Sequence, residues 1–574
     1  MGQSLSLSST RRIIPATMAV CPTHCNKERV MLSACLRTLA VCILLGALTS
    51  CSGAEPLRVE LPMTDGTKLT TDVLLPRGDG PFPVVVFRST YGRNAGWAKG
   101  YVDNGYAVVL QDVRGMGTSE GEKYVFYADG WRDEQHDAAD TMAWIAEQPW
   151  CDGNIGTEGG SALGITQLLE APSTNLIDAQ SITVGPGRFY QDVTFIGGVW
   201  RKNMLEGWLM AIGQAHLIDV YKAQPLDDEF WSYYNFVSTA DKVTAPALFI
   251  GGWHDIFCQG TLDAYAAREE HGGEGARGEN YLIMKWSPHG PDVTEDYKFN
   301  ENRFDLKVSE VMKKFFAAHL KGDTDALKDV PNVQYYVFGA DTPGAPGNEW
   351  RSAEAWPPFE TTNTVFYLAP DNTLTTEAPG SDGGSGTYTF DPADPYPTLG
   401  GANLLPNLPS GPFDQRKYSD SRNDLLKFTT APLEAPVEIA GRITVRLSVS
   451  SDAPDTDFTA KLIDIYPDGD GRELNVMDGI RRVKTRNGYG EFAPLLEGPE
   501  QIVELEIDLW SIAWIFDQGH RIGLYVSSSN YPRFEVNPGT GDNYPGDGIE
   551  MRKQTNTVHF TAEHPSALYL PVRR

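Results

Sequence analysis

Three residues of this chain, taken in order, have the types needed for nucleophilic acyl transfer: Ser161, Asp255 and His289. Ser161 lies in Cys151-Asp152-Gly153-Asn154-Ile155-Gly156-Thr157-Glu158-Gly159-Gly160-Ser161-Ala162-Leu163-Gly164, which reads as a short strand, a turn of small residues and a helix beginning near Ala162. A serine on such an elbow is exposed at the end of a strand, and the first amides of the helix point at whatever sits above it. That presents a weak nucleophile beside part of an oxyanion-stabilising site. The spacing departs from the plain G-x-S-x-G pattern, because the second glycine comes one residue late, at Gly164. Alone, a Gly-Ser turn is usually only a turn.

The other two residues strengthen the case. The apolar run ending at Ile250 is followed by Gly251-Gly252-Trp253-His254-Asp255, and the run ending near Met284 by Lys285-Trp286-Ser287-Pro288-His289. A serine, an acid and a histidine in that order, each after its own strand, fit a base that takes the serine proton and an acid that fixes its tautomer. Singly, a strand-end Asp is more often a cap and a His in a Pro-Gly turn more often a surface residue. His254 is the rival base, but neighbours on an extended segment point opposite ways. His136 and His216 fit the order poorly. The Ala162 amide is one candidate oxyanion donor. Tyr91, on the loop after Pro83–Phe87, is a second candidate, and the residues alone leave it balanced between that role and packing.

These residues need a scaffold of buried strands. Pro83-Val84-Val85-Val86-Phe87, Tyr106–Gln111, Ser181–Val184, Ala247–Ile250 and Tyr281–Met284 are short continuous apolar runs, alternating with helical spacing over Trp131–Glu147 and Leu306–Leu320. That pattern predicts a parallel sheet covered on both faces. Before it, Leu57–Leu75 reads as a hairpin about Met63-Thr64-Asp65-Gly66. An aromatic-rich stretch with Trp200, Trp208, Trp231, Tyr233 and Tyr234 interrupts the alternation and reads as a helical cap above the site, its aromatics either lining an acyl pocket or packing inside the cap. From about Val333 helical spacing fades, and short alternating runs between Gly/Pro/Asp turns predict a β-sandwich. Pro467–Gly471 is read as a hairpin turn rather than a calcium loop, and Gly380–Gly386 as a surface loop.

At 574 residues the chain is too long for one core. The expected organisation is a signal segment over 1–51, an α/β-hydrolase core over 52–188 and 244–332 with a helical cap at 189–243, and a jelly-roll sandwich over 333–574. A formal net charge of −28 argues against nucleic acid or an anionic membrane surface as partner. Leu39–Leu48 is an apolar run of ten after Arg37, too short to span a bilayer and suited to the apolar part of a secretory signal. Leu48-Thr49-Ser50-Cys51 resembles a bacterial lipobox, so Cys51 is the expected lipidated residue and membrane contact is expected only through that lipid. Met31 is the expected start; an ordinary signal cleaved nearby, leaving a periplasmic or secreted protein, is the alternative. Of seven cysteines only Cys151 and Cys258 lie beyond that point, so no disulfide framework is expected and free thiols are the default.

Further segments carry a resemblance. Ser89-Thr90-Tyr91, Gln111-Asp112-Val113-Arg114-Gly115, Gln148–Gly156, Gly252-Trp253-His254-Asp255, Gly411–Arg416, Asp455-Thr456-Asp457-Phe458 and Ser527–Arg533 are similar to the cocaine esterase and X-Pro dipeptidyl-peptidase group of hydrolases, from about Arg58 to the end. The resemblance implies a Ser161 acyl-enzyme, Asp255 and His289 as acid and base, and the Tyr91 hydroxyl completing the oxyanion hole. Two departures bear on pocket shape: Ala162 where the group often has Tyr, and a Lys285–Pro288 loop that differs from the usual Gly-Pro-Trp stretch. The expected substrate is a small-molecule ester, amide or short peptide, with no metal or cofactor required. Esterase or acylase activity leads, X-Pro dipeptidyl-peptidase or α-amino acid ester hydrolase activity follows, and an inactive glycan- or partner-binding surface lipoprotein is the alternative from another class.

Overall fold

The computed structural model describes residues 56–132, 135–290, 294–381, 383–545 and 548–574. The apolar run Leu39–Leu48 and Cys51 lie outside the described residues, and from Pro56 onward the described chain forms one compact unit.

The first sheet has ten strands. β1 (Leu57–Pro62) and β2 (Lys68–Leu74) form the expected hairpin, followed by β3 (Phe82–Ser89), β4 (Ala107–Asp112), β5 (Cys151–Gly160) and β6 (Ala179–Thr183). A small hairpin, β7 (Phe195–Ile196) with β8 (Val199–Trp200), belongs to the cap; β9 (Ala247–Gly252), β10 (Tyr281–Lys285), β11 (Val333–Val337) and β12 (Glu349–Ala353) complete the sheet. Spatial order is β1-β2-β4-β3-β5-β6-β9-β10-β11-β12, parallel from β4 through β11.

Burial on both faces explains the continuous apolar runs. In β3, Val84 and Val86 pack with Met142 and Ile145 of α2 (Asp137–Ala146), after α1 (Ala95–Asp103) has crossed the opposite face. Val85 and Phe87 pack on that opposite face, against Ala98 of α1 and, further along the chain, Phe315 and Phe316. The period of two sends successive side chains to different layers, so both faces of the strand are apolar over Val84–Phe87.

α3 (Ala162–Glu170) follows Ser161. The cap holds α4 (Lys202–Ala211), α5 (Leu217–Lys222) and α6 (Glu229–Ser232), so it is helical with one short hairpin. α7 (Cys258–His271) follows the acid loop, and α8 (Val308–Lys321) supplies Phe315 and Phe316. α2 starts later than the spacing from Trp131 implies: Trp131 packs at a tilt against Tyr233 of the cap, 4.9 Å between ring centres, and the Arg114–Asp137 ion pair anchors the helix start.

Beyond Thr361 an eleven-stranded second sheet folds into the sandwich. Two details differ from the sequence expectation. β11 and β12, which a boundary at 333 assigns to the sandwich, pair into the first sheet, because Val333, Tyr335 and Tyr336 are buried beside β10. Gly384–Gly386, expected as loop, opens a strand (Gly384–Phe390) paired with Gln554–Phe560. The two layers share one core: the Phe338 amide donates to Ala513 O and its carbonyl accepts from the Ile515 amide, at 3.0 and 2.9 Å. Cys151 and Cys258 are free thiols.

Candidate active site

The elbow after β5 is strained as its sequence predicts. Ser161 has φ +58° and ψ −119°, a region that costs a residue bearing a Cβ. The turn is held by the Ser161 amide on Thr183 O (2.9 Å), and Ser161 O accepts from the Gly164 and Ile165 amides. Gly159, at φ +151°, explains how Leu163 stands where other elbows carry glycine: a Cβ on Gly159 would sit 2.4 Å from the Leu163 Cβ. The strand's glycine clears the space.

Asp255 and His289 come to this serine on loops after β9 and β10. His289 Nε2 lies 2.9 Å from Ser161 Oγ, and His289 Nδ1 lies 2.8 Å from Asp255 Oδ2. An ionised carboxylate can only accept, so Nδ1 carries the proton and Nε2 is left to accept from the serine hydroxyl. The other carboxylate oxygen accepts from the Phe257 amide at 2.7 Å, and the Phe257 ring meets His289 edge-on. The two loops are stitched together: the Trp253 amide donates to Lys285 O, and a Cβ on Gly252 would meet Ser287 O at 2.1 Å. Only glycine allows that approach.

His254 is turned away from this group. Its Nε2 bonds Val476 O of the sandwich at 3.1 Å, and burial pushes its pKa down to about 4. His136 and His216 precede helices α2 and α5 and do not enter the site.

Tyr91 stands on the loop after β3, its ring half exposed. Its hydroxyl oxygen accepts from Trp208 Nε1 at 2.9 Å. Burial raises the phenol pKa, and Trp208, Thr90 and Ser161 lie close enough to act against that rise. The Ala162 amide heads α3, among the first-turn donors that a helix cannot satisfy internally.

Beside Ser161 opens a narrow apolar pocket. Its walls include Phe189, Val193, Met204 and Trp208 of the cap, Phe257 from the acid loop and Leu404 from the C-terminal part. Among the described residues no charged side chain lines it. Of the five cap aromatics singled out in the sequence, Trp208 lines the pocket, whereas Trp200, Trp231, Tyr233 and Tyr234 are buried inside the cap. Met204 sits one helical turn before Trp208, so the spacing in α4 held a signal for that wall, whereas nothing local marked Leu404. Asp228 caps α6 through the Phe230 amide and Asp227 lies near Gln191, so neither faces the pocket. Among the described residues no group of three or more His, Cys, Asp or Glu side chains is placed to hold a metal ion.

Residues 65–219 and 211–291 match the X-Pro dipeptidyl-peptidase (S15 family), and residues 325–569 match the X-Pro dipeptidyl-peptidase C-terminal non-catalytic domain. A cocaine esterase of Rhodococcus sp. is 34% identical over 584 residues, covering 90% of this chain and 98% of the relative. The chain belongs to this family of serine hydrolases. The fold of this hydrolase is shared with an aminopeptidase from a Thaumarchaeota archaeon (TM-score 0.75, 23% identity, 90% and 96% of the two chains). It is shared equally with an α-amino acid ester hydrolase (TM-score 0.74, 23% identity, 92% and 98%).

Proposed function

We propose that this hydrolase cleaves esters of small apolar acyl groups, with Ser161 as nucleophile, His289 as base and Asp255 as its orienting acid. The observation that carries the reading is the hydrogen-bonded chain Asp255–His289–Ser161 ending at the mouth of an apolar pocket. Ser161 Oγ attacks the carbonyl carbon while its proton passes to His289 Nε2. The carbonyl π electrons move onto oxygen, where the Ala162 amide and the Tyr91 hydroxyl donate to the oxyanion. Collapse expels the alcohol, which takes the proton back from His289, and leaves an acyl-serine. Water then repeats the sequence, releasing the acid and restoring Ser161.

A substrate with a free α-amine needs a carboxylate to hold its ammonium group, and burying that charge unpaired is costly. The apolar wall that the described residues form, with no charged group among them, therefore favours simple acyl esters over aminoacyl-proline peptides or amino acid esters. The reading extends to the amino terminus: Leu39–Leu48 followed by Leu48-Thr49-Ser50-Cys51 supports export and lipidation at Cys51.

A fluorophosphonate probe followed by peptide mass spectrometry tests the nucleophile. Label is expected on the Ser161 peptide and none in Ser161→Ala; a folded protein without label sinks the hydrolase assignment of this serine. p-Nitrophenyl acyl esters compared with aminoacyl-proline anilides test the acyl preference, and faster turnover of the anilides would overturn it. Metabolic labelling with a fatty acid, lost in Cys51→Ala, tests the anchor.

A further inference from the structure

Resting on the assignment of Tyr91 to the oxyanion, we infer that Trp208 of the cap is the positioning residue of the oxyanion hole, because its indole N–H occupies the acceptor side of the Tyr91 hydroxyl and leaves that hydroxyl's proton for the substrate. An indole nitrogen can only donate, whereas a phenol oxygen both donates and accepts. The 2.9 Å contact between Trp208 Nε1 and Tyr91 Oη therefore has one polarity, with Tyr91 accepting. The phenol proton must go elsewhere. The neighbouring hydroxyls are those of Thr90 and Ser161, and the developing oxyanion above Ser161 is the strongest acceptor that reaction places there. A donor on the phenol oxygen also polarises its O–H, so the bond to the oxyanion is strengthened as well as aimed.

Trp208 is itself held in place. Its ring stacks on Phe126 at 5.8 Å between centres and 11° between planes. Phe126 is 1% exposed and sits at φ +68°, a conformation unfavourable for a bulky side chain and retained only where surrounding structure enforces it. The enforcing contacts run back to the cap: the Val125 amide donates to Gln214 Oε1 at 2.9 Å, and Phe126 meets the Phe189 ring edge-on. The strained residue is a platform for the indole. The hole is thus assembled from the loop after β3 and a cap helix 117 residues further along the chain, so seating the cap completes it.

The test is a double-mutant cycle on the full chain with a p-nitrophenyl ester. Trp208→Phe keeps a ring on the Phe126 platform and removes the donor. Tyr91→Phe should lower kcat about 10²-fold, the scale of losing one oxyanion donor. Trp208→Phe should lower kcat about 10-fold with KM within about two-fold, the scale of one lost hydrogen bond. The double variant should be no slower than Tyr91→Phe alone. An equal loss from Trp208→Phe in both backgrounds, or a change in KM instead of kcat, overturns the inference and reduces Trp208 to a pocket wall. An unchanged kcat in Tyr91→Phe overturns the Tyr91 assignment itself, and the inference falls with it.

Discussion

The two halves of the site are held by different kinds of force. On the nucleophile side, placement is local: a strained φ at Ser161, a glycine at 159 that clears Leu163, and a bond from the Ser161 amide to the adjacent β6. On the acid and base side, placement is remote. The acid loop is pinned through His254 to Val476 of the sandwich, and Trp253 Nε1 donates to Tyr336 O of β11 at 2.6 Å. Fully buried Arg201 of the cap donates to Ile256 O beside the acid and to Ala402 O of the C-terminal part. The sandwich thus contributes no group to the hydrogen-bonded chain of Asp255, His289 and Ser161, yet it fixes where Asp255 can stand. A nucleophile can be built by one turn of backbone. A base in the correct tautomer needs a wall behind it.

The contrast can be broken most severely at Asp255. Asp255→Asn leaves Ser161 on its elbow but turns an N–H toward His289, so kcat should fall about 10⁴-fold. Fluorophosphonate labelling of Ser161 should slow by a similar factor while circular dichroism stays unchanged.

Next in size is Gly252→Ala, whose added Cβ meets a backbone oxygen at 2.1 Å and must separate the acid and base loops. A shift of about 1 Å costs about 10²-fold in kcat, and a crystal structure of the variant should show His289 withdrawn from Ser161. Unaltered kcat would mean the stitched loops are not what aligns the base.

The smallest effect tests the wall itself. Burial holds His254 at about 4, against 6.5 for an unhindered histidine. As pH falls from 6.5 toward 4 the unfolded chain therefore takes up this proton before the folded one, and stability present above 6.5 is lost in that window. The loss attributable to His254 is about 2 kcal/mol between pH 7 and pH 5. Urea unfolding of the wild type and His254→Gln at both pH values should differ by that amount in slope, with the variant flatter; parallel slopes would remove His254 from the account.

Much of this was readable from the chain before folding was considered. Asp255 and His289 each follow an apolar run and Ser161 a glycine-rich strand, and a run buried on both faces of a parallel sheet carries its own signature in composition. The residue after each run lands at one end of the sheet, so order along the chain translates into convergence in space. β11 was less legible. Val333-Gln334-Tyr335-Tyr336-Val337 lies where helical spacing has already faded, and only pairing with β10 assigns it to the first sheet.

Residue type alone determined the nucleophile's elbow, the parallel sheet and the aromatic richness of the cap, because glycine freedom and apolar burial are local properties of the chain. Tertiary structure decided what one residue type means at two positions. Trp200 and Trp208 lie in the same cap, yet one is sealed in its core while the other lines the pocket and bonds Tyr91. Leu404 became a pocket wall, and His254 a brace rather than a base, only when distant segments closed on them. A side chain's chemistry is written in its type, but its partner is chosen by packing between segments far apart in the chain, and no local pattern records that choice.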